Sequence, residues 1–188
     1  MKKTLAKLLC ATTLAFSPII SQNLIAQNSA DTTKKESTID YIRLGMTFRD
    51  FNDNDLKKEV GALFGFELNC GKNMTKNFDA ELYNSWFFKG WDNGKKRINI
   101  FETGVFGELT FGDFYIGLAP KMVSYFSRNE GKKFSDVTFG FGGRMGYEIK
   151  LSDKMKLDLD INYSKVNIEE DGEKYDIGTN GFSVRLKF

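Results

Sequence analysis

The sequence predicts an all-β fold in which eight antiparallel strands run up and down in chain order and close into a barrel. Three observations support this prediction. The 188 residues include 18 Phe and 18 Gly but only 2 Pro, a composition that favours strands over helices. Eight segments alternate apolar and polar side chains with a period of two. The connections between these segments are long, short, long, short, long, short and long, as in barrels with short turns at one rim.

The first 38 residues are expected to precede the barrel. Three lysines come before a short apolar stretch, Leu8 to Phe16, and Pro18 lies just beyond its end. This is the pattern of a cleavable secretory signal peptide, and cleavage is expected after Ala26 or Ala30. The predicted segments are a signal peptide at residues 1–30, a periplasmic linker at 31–38 and the barrel at 39–188.

The first four predicted strands lie at about residues 39–49, 59–70, 77–89 and 97–111. In the second, Phe64, Phe66 and Leu68 share one face while Gly65 and Glu67 share the other. Such alternation is typical of a strand with two different surroundings. The connections are a polar loop at 50–58, a turn at 71–76 and a loop rich in Gly, Asp and Asn at 90–96.

The last four predicted strands lie at about residues 114–126, 136–149, 154–166 and 177–188. Gly112 and Asp113 form a two-residue connection of the hairpin kind. A loop at 127–135, a turn at 151–153 and an acidic loop at 167–176 join the others. Pro120 falls inside the fifth strand, and a closed barrel has no edge at which a missing N–H is harmless. A β-bulge is therefore expected at Pro120.

One face of these strands collects charged side chains. If the apolar face meets lipid, the charges fill the lumen as a paired network, whereas in a soluble barrel with an apolar cavity they face solvent. Periodicity alone leaves both possibilities open. The charges are Arg43, Glu67, Asp79, Glu81, Glu102, Glu108, Lys121, Arg144, Glu148, Lys156, Asp158, Asp160, Arg185 and Lys187. The candidate lumen network is Glu67, Glu81, Glu102, Lys121, Arg144, Lys156, Asp158, Asp160 and Arg185. Asp158 and Asp160 could act as an acid–base pair, but salt bridges explain them better.

Aromatic residues near both ends of the apolar face favour the membrane interpretation, because such rings form girdles at membrane interfaces. The segments are also long enough, since a tilted strand needs about 9–11 residues to cross a bilayer. One predicted girdle contains Phe48, Trp86, Phe88, Phe126 and Tyr163, and the other contains Phe78, Phe111, Phe114, Tyr147 and Phe188.

The C-terminal strand alternates Phe182, Val184, Leu186 and Phe188 with polar residues and ends on Phe188. This ending resembles the last strand of small bacterial outer-membrane β-barrels, the porin-family proteins typified by OmpX and the transmembrane domain of OmpA. The resemblance is architectural and covers about residues 39–188. It implies a bacterial outer-membrane location, contact with outer-membrane lipids, and recognition of Leu186 and Phe188 by the barrel assembly machinery, with periplasmic chaperones as further partners.

The composition narrows the possible functions. The chain contains no His, which removes the commonest general base and imidazole metal ligands, so no catalytic residue, metal or cofactor is expected. A net charge of +2 without a long basic run argues against nucleic-acid binding.

Side chains can fill an eight-stranded barrel, which leaves no open pore. The prediction is therefore a non-catalytic barrel that acts structurally or through surface loops, in adhesion or binding. The alternatives are a narrow channel for ions or small solutes and, more remotely, a soluble periplasmic ligand-binding barrel.

Overall fold

The computed structural model describes residues 39–91, 96–129, 132–170 and 173–188, so the predicted signal peptide and linker lie outside the described residues. Strands occupy most of these ranges, and one short helix, α1, spans Asn54–Val60. The strands are β1 (Tyr41–Phe51), β2 (Leu63–Thr75), β3 (Phe78–Trp91), β4 (Lys96–Phe111), β5 (Phe114–Asn129), β6 (Lys132–Lys150), β7 (Lys156–Glu170), β8 (Glu173–Asp176) and β9 (Thr179–Lys187).

The strands form a closed antiparallel barrel. Each strand from β1 to β6 pairs with the next one in sequence, and β9 pairs with both β7 and β1. β8 pairs with the C-terminal end of β7, and Ile177 and Gly178 separate it from β9. β8 and β9 are therefore two parts of the eighth barrel strand. The predicted eight-stranded up-and-down barrel is confirmed.

The two rims of the barrel differ. Three short turns, at residues 76–77, 112–113 and 151–155, lie at one end, which we call the turn rim. The opposite end, the loop rim, carries α1. Three loop predictions at this rim, at 90–96, 127–135 and 167–176, were wrong in part, because β3 to β8 extend into these segments. Their polar composition was misleading, since a strand that projects beyond a membrane needs no apolar face in order to pair its backbone.

The predicted loop at 50–58 was also wrong in part, because it contains most of α1, and β2 begins at Leu63 rather than at residue 59. The Asp53 carboxylate accepts hydrogen bonds from the backbone N–H groups two and three residues on, both at 2.9 Å, and so caps the helix. Gly61, with φ of 71°, ends it. Val60, predicted to lie in a strand, is buried at the end of α1.

Among the described residues, no helix is long and apolar enough to cross a membrane.

The bulge expected at Pro120 is wrong. The ladder between β5 and β6 runs through the pair Pro120 and Phe141 without a shift. Toward β4 the pairing passes from Gly104 with Lys121 to Gly107 with Leu118, in an unchanged register. The strand accommodates the missing N–H by a local gap in one ladder, so its side chains keep their faces on both sides of the proline.

The barrel turns its apolar face outward over most of its height. In β1, Arg43 and Thr47 are buried in the lumen, while Leu44 and Met46 are exposed on the outer wall. The same alternation holds in the neighbouring strands, and Phe139 on β6 is 81% exposed. An apolar ligand cavity, the basis of the soluble alternative, is therefore contradicted for this part of the barrel.

Candidate functional site

The lumen near the turn rim is filled by ion pairs centred on Arg43. This side chain is fully buried, and its guanidinium nitrogens lie 2.5 Å from Glu81, 2.9 Å from Glu108 and Glu148, and 2.6 Å from Asp158. Four strands other than β1 supply these carboxylates. A planar guanidinium with five N–H donors suits such multiple contacts better than a lysine ammonium does.

Arg144 completes this arrangement from β6. Its Nη2 lies 2.6 Å from both Glu81 Oε1 and Glu108 Oε2, so it shares two carboxylates with Arg43. Its guanidinium also lies over the Phe106 ring, 4.1 Å from the centroid. We call the set the lower cluster: Arg43, Arg144, Lys156, Lys187, Glu81, Glu108, Glu148 and Asp158. Its four cations balance its four carboxylates, which is what burial of so many charges requires.

A second set of ion pairs, which we call the middle cluster, lies beyond the lower cluster toward the loop rim. Glu102 accepts from Arg49 and Lys121, both at 2.8 Å, and from the Tyr83 hydroxyl at 2.8 Å. Arg185 pairs with Glu67 at 3.1 Å and with Asp160. The middle cluster is thus Arg49, Lys121, Arg185, Glu67, Glu102 and Asp160. Three cations again face three carboxylates.

The part of the lumen nearest α1 is apolar. We call this third layer the apolar plug: Phe51, Val60, Leu63, Phe87, Ile98, Ile100, Val123, Tyr125, Val166, Ile168 and Ile177. Leu56 of α1 and Phe134 of β6 pack against it. This layer was not predicted from the sequence. An available signal was the polarity of the two faces of β4. Ile98 and Ile100 face inward and are apolar, whereas farther along the same face Glu102 and Glu108 are charged.

The nine predicted network residues all contribute to the two clusters. Eight are buried, and Lys156 is partly exposed at the turn rim. Asp158 contacts Arg43 and Asp160 contacts Arg185, so each of these aspartates has its own cation. The candidate network left out Arg43, Glu108, Glu148 and Lys187, although all four were assigned to the charged face. Arg49 was missed altogether, because the first predicted strand ended at that position and its face was not assigned.

Small residues make room for these long side chains. A Cβ added at Gly45 would collide with Arg185 Cγ and the Val184 carbonyl oxygen, and one at Gly146 would come within 2.5 Å of the Tyr115 hydroxyl. Tyr115 Oη accepts from Arg185 at 2.9 Å. The glycines thus allow the charged side chains of neighbouring strands to meet inside a narrow barrel.

Comparison with known proteins agrees with this geometry. Residues 12–188 match the family model described as outer membrane protein beta-barrel domain. The chain belongs to this outer-membrane β-barrel family. Members lie in the bacterial outer membrane, so the outer wall described above is the lipid-facing surface. No curated protein matches the sequence.

Solved outer-membrane barrels share the fold of this family member. Neisserial surface protein A is 10% identical with a TM-score of 0.61, and the match covers 78% of this chain and 94% of that one. Ail, the attachment invasion locus protein of Yersinia pestis, is 13% identical with a TM-score of 0.54, covering 79% of this chain and 97% of Ail. At such identities the likeness shows the fold alone.

The ten residues of the two predicted girdles lie on the outer wall of this outer-membrane barrel. Nine are exposed, and Trp86 is partly covered by Phe101, at 5.5 Å between ring centroids. At the turn rim Phe111, Phe114 and Tyr147 are register neighbours on three strands. Phe188 is exposed, and its backbone exchanges two hydrogen bonds with Ile42, at 2.9 and 3.2 Å.

Proposed function

We propose that this outer-membrane barrel is a sealed structural element of the envelope that acts through its loop rim, by adhesion or binding, and neither conducts nor catalyses. The observation that carries the proposal is the filling of the lumen by three successive layers, the lower cluster, the middle cluster and the apolar plug. For water and ions to pass through the lumen, buried ion pairs would have to be broken and the apolar plug would have to be hydrated. Both steps are costly.

The chemistry of the lumen supports a non-catalytic role. Each carboxylate of the predicted network, Glu67, Glu81, Glu102, Asp158 and Asp160, lies within 4 Å of an arginine or lysine nitrogen. A general base must reach a substrate proton, and these oxygens are buried behind their cations. Their role in the proposal is to hold strands together.

One of the similar solved structures supports a function at the cell surface. Ail carries the name attachment invasion locus protein and has been crystallised with the heparin analogue sucrose octasulfate, in a structure whose TM-score to this chain is 0.51. Loops carry function on many rigid scaffolds because they tolerate sequence change. Binding at the loop rim is accordingly the activity that we assign to this chain.

Conductance in planar bilayers tests the sealed lumen. We expect wild-type protein that has inserted, as verified by a mobility shift between unheated and boiled samples on a denaturing gel, to give no stable unitary steps. Double replacement of Phe87 and Leu63 by Gly, which thins the apolar plug, provides a matched opened variant for detecting conductance. Steady steps from the wild type would instead support the narrow-channel alternative.

The proposal includes assembly by the barrel assembly machinery, with Leu186 and Phe188 as the recognised side chains. Because Phe188 closes the barrel through backbone atoms, Phe188→Ala is expected to refold in detergent as the wild type does but to assemble poorly in cells. The heat-shift gel applied to outer membranes and to refolded protein measures both quantities. Equal assembly in cells would remove Phe188 from this role.

A further inference from the structure

The outer wall of β4 and β5 carries two neighbouring arginines near the loop rim, Arg97 and Arg128, which we call the arginine row. The register places Arg97 directly opposite Arg128. Both arginine side chains are exposed, and within the part of the chain that the structure describes neither is found in an ion pair. Like charges directly opposite each other across a ladder repel. The row is therefore complementary to an anion that none of the described side chains supplies.

The row lies just beyond the lipid-facing band. On β5 the outward apolar residues extend from Phe114 to Phe126, twelve residues on. At about 2.5 Å of depth per residue of a tilted strand, this distance is about 30 Å, close to the roughly 25 Å apolar band of outer-membrane barrels. Arg128 is two residues farther, about 5 Å beyond the band on the same scale. Arg97 shares its register, so both guanidinium groups lie at the depth of lipid headgroups.

A cleft at this position combines charge, hydrogen-bond donors and apolar walls. It has a volume of about 340 Å³ and is lined by Arg97, Arg128, Asn99, Ser127, Ser135, Phe126 and Phe134. A guanidinium binds phosphate with two parallel N–H···O bonds. Amide and hydroxyl groups can donate to the remaining phosphate oxygens. Phe126 continues the cleft into the lipid-facing wall, where it can contact the first carbons of an acyl chain.

We propose that this cleft binds the phosphate group of an anionic lipid in the outer leaflet around the barrel. The inference rests on the orientation in the proposed function, with the loop rim outside, but it does not depend on whether the lumen conducts. A lipid is favoured over a soluble anion because the cleft joins the arginine row to the aromatic wall. In this proposal the loop rim therefore binds lipids with phosphorylated headgroups specifically.

Native mass spectrometry of detergent-solubilised protein tests the inference with two lipids of identical acyl chains, phosphatidic acid and phosphatidylcholine. The wild type is expected to retain phosphatidic acid preferentially. Replacement of one arginine by Gln should weaken this preference about fivefold, and the Arg97→Gln, Arg128→Gln double variant should weaken it about thirtyfold. The control double variant, Lys58→Gln with Lys165→Gln, removes the same charge from exposed positions outside the cleft. It should keep the wild-type preference.

Three results would overturn the inference. One is an unchanged preference in the arginine double variant, and another is an equal loss in the lysine control, which would indicate net charge rather than a site. The third is arginine-dependent binding of sucrose octasulfate without any lipid preference, which would identify a site for soluble anionic sugars. The heat-shift gel shows that each variant is folded. Conductance of the wild type would refute the sealed lumen and leave the lipid result standing.

Discussion

The charged clusters and the apolar plug fill the same lumen in different physical ways. In the lower cluster, Arg43 contacts carboxylates from β3, β4, β6 and β7, so one side chain joins strands on opposite sides of the barrel. The plug is held by burial of apolar area, which is roughly proportional to the area covered and has no preferred direction. Directional contacts specify which strands meet, whereas apolar contacts tolerate exchange among residues of similar size.

This difference predicts unequal sensitivity to mutation. Removal of one partner of a buried ion pair leaves an unpaired charge without water, and that costs more than the pair itself contributes. Removal of apolar atoms costs the lost transfer free energy together with the cavity that remains. The charged clusters should therefore respond more strongly to a single change than the plug does.

The largest effect is expected for Arg43→Met. The change leaves four carboxylates without their shared cation, and the free energy of unfolding should fall by about 3–5 kcal/mol. Urea unfolding of the barrel in lipid vesicles, monitored by tryptophan fluorescence, measures this. Lys156→Met at the partly exposed end of the same cluster is the control and should cost at most about 1 kcal/mol. A loss for Arg43→Met as small as that of the control would contradict the central role of this arginine.

A smaller effect is expected for Leu63→Ala in the apolar plug. Leu63 is 1% exposed, so truncation leaves a cavity and should lower the free energy of unfolding by about 3 kcal/mol. Leu68→Ala on the same strand is the matched control, because Leu68 faces the lipid side and acyl chains can fill the space. The same urea titration compares them. Equal losses at both positions would show that the plug is not packed like a protein core.

The sequence was sufficient to predict the central part of each strand, its two faces and nine of the clustered charges, because each strand alternates between two environments. Glu67 between Phe66 and Leu68, or Asp158 between Leu157 and Leu159, has one face for lipid and one for the lumen. The ion-pair partners could not be predicted, since Arg43 meets Asp158 across more than a hundred residues of sequence. Such contacts depend on closure of the barrel and on strand register.

The ends of the strands and the plug escaped prediction for a single physical reason. Near the loop rim the side chains keep the same alternation, but the polarity of the two faces is exchanged: apolar Val166 and Ile168 face the lumen, and polar Lys165 and Asn167 face outward. A search for an apolar outer face ends where this exchange begins. We therefore expect the strands to leave the bilayer at this exchange, which also places the arginine row on the outer wall.

The exchange of polarity between the two faces leads to the last prediction, which compares two positions on β7 at different depths in the membrane. On β7 the outward apolar residues extend from Leu157 to Tyr163, so Leu159 lies inside the lipid-facing segment, next to its middle. Leu159→Arg should lower the free energy of unfolding in vesicles by about 2–4 kcal/mol, the usual cost of an arginine at the bilayer midplane. Asn167→Arg, outward-facing on the same strand but beyond the exchange, should cost about 0–1 kcal/mol. A comparable cost at both positions would mean that the bilayer covers β7 farther toward the loop rim. In that case the arginine row on β4 and β5 would lie in acyl chains rather than among headgroups.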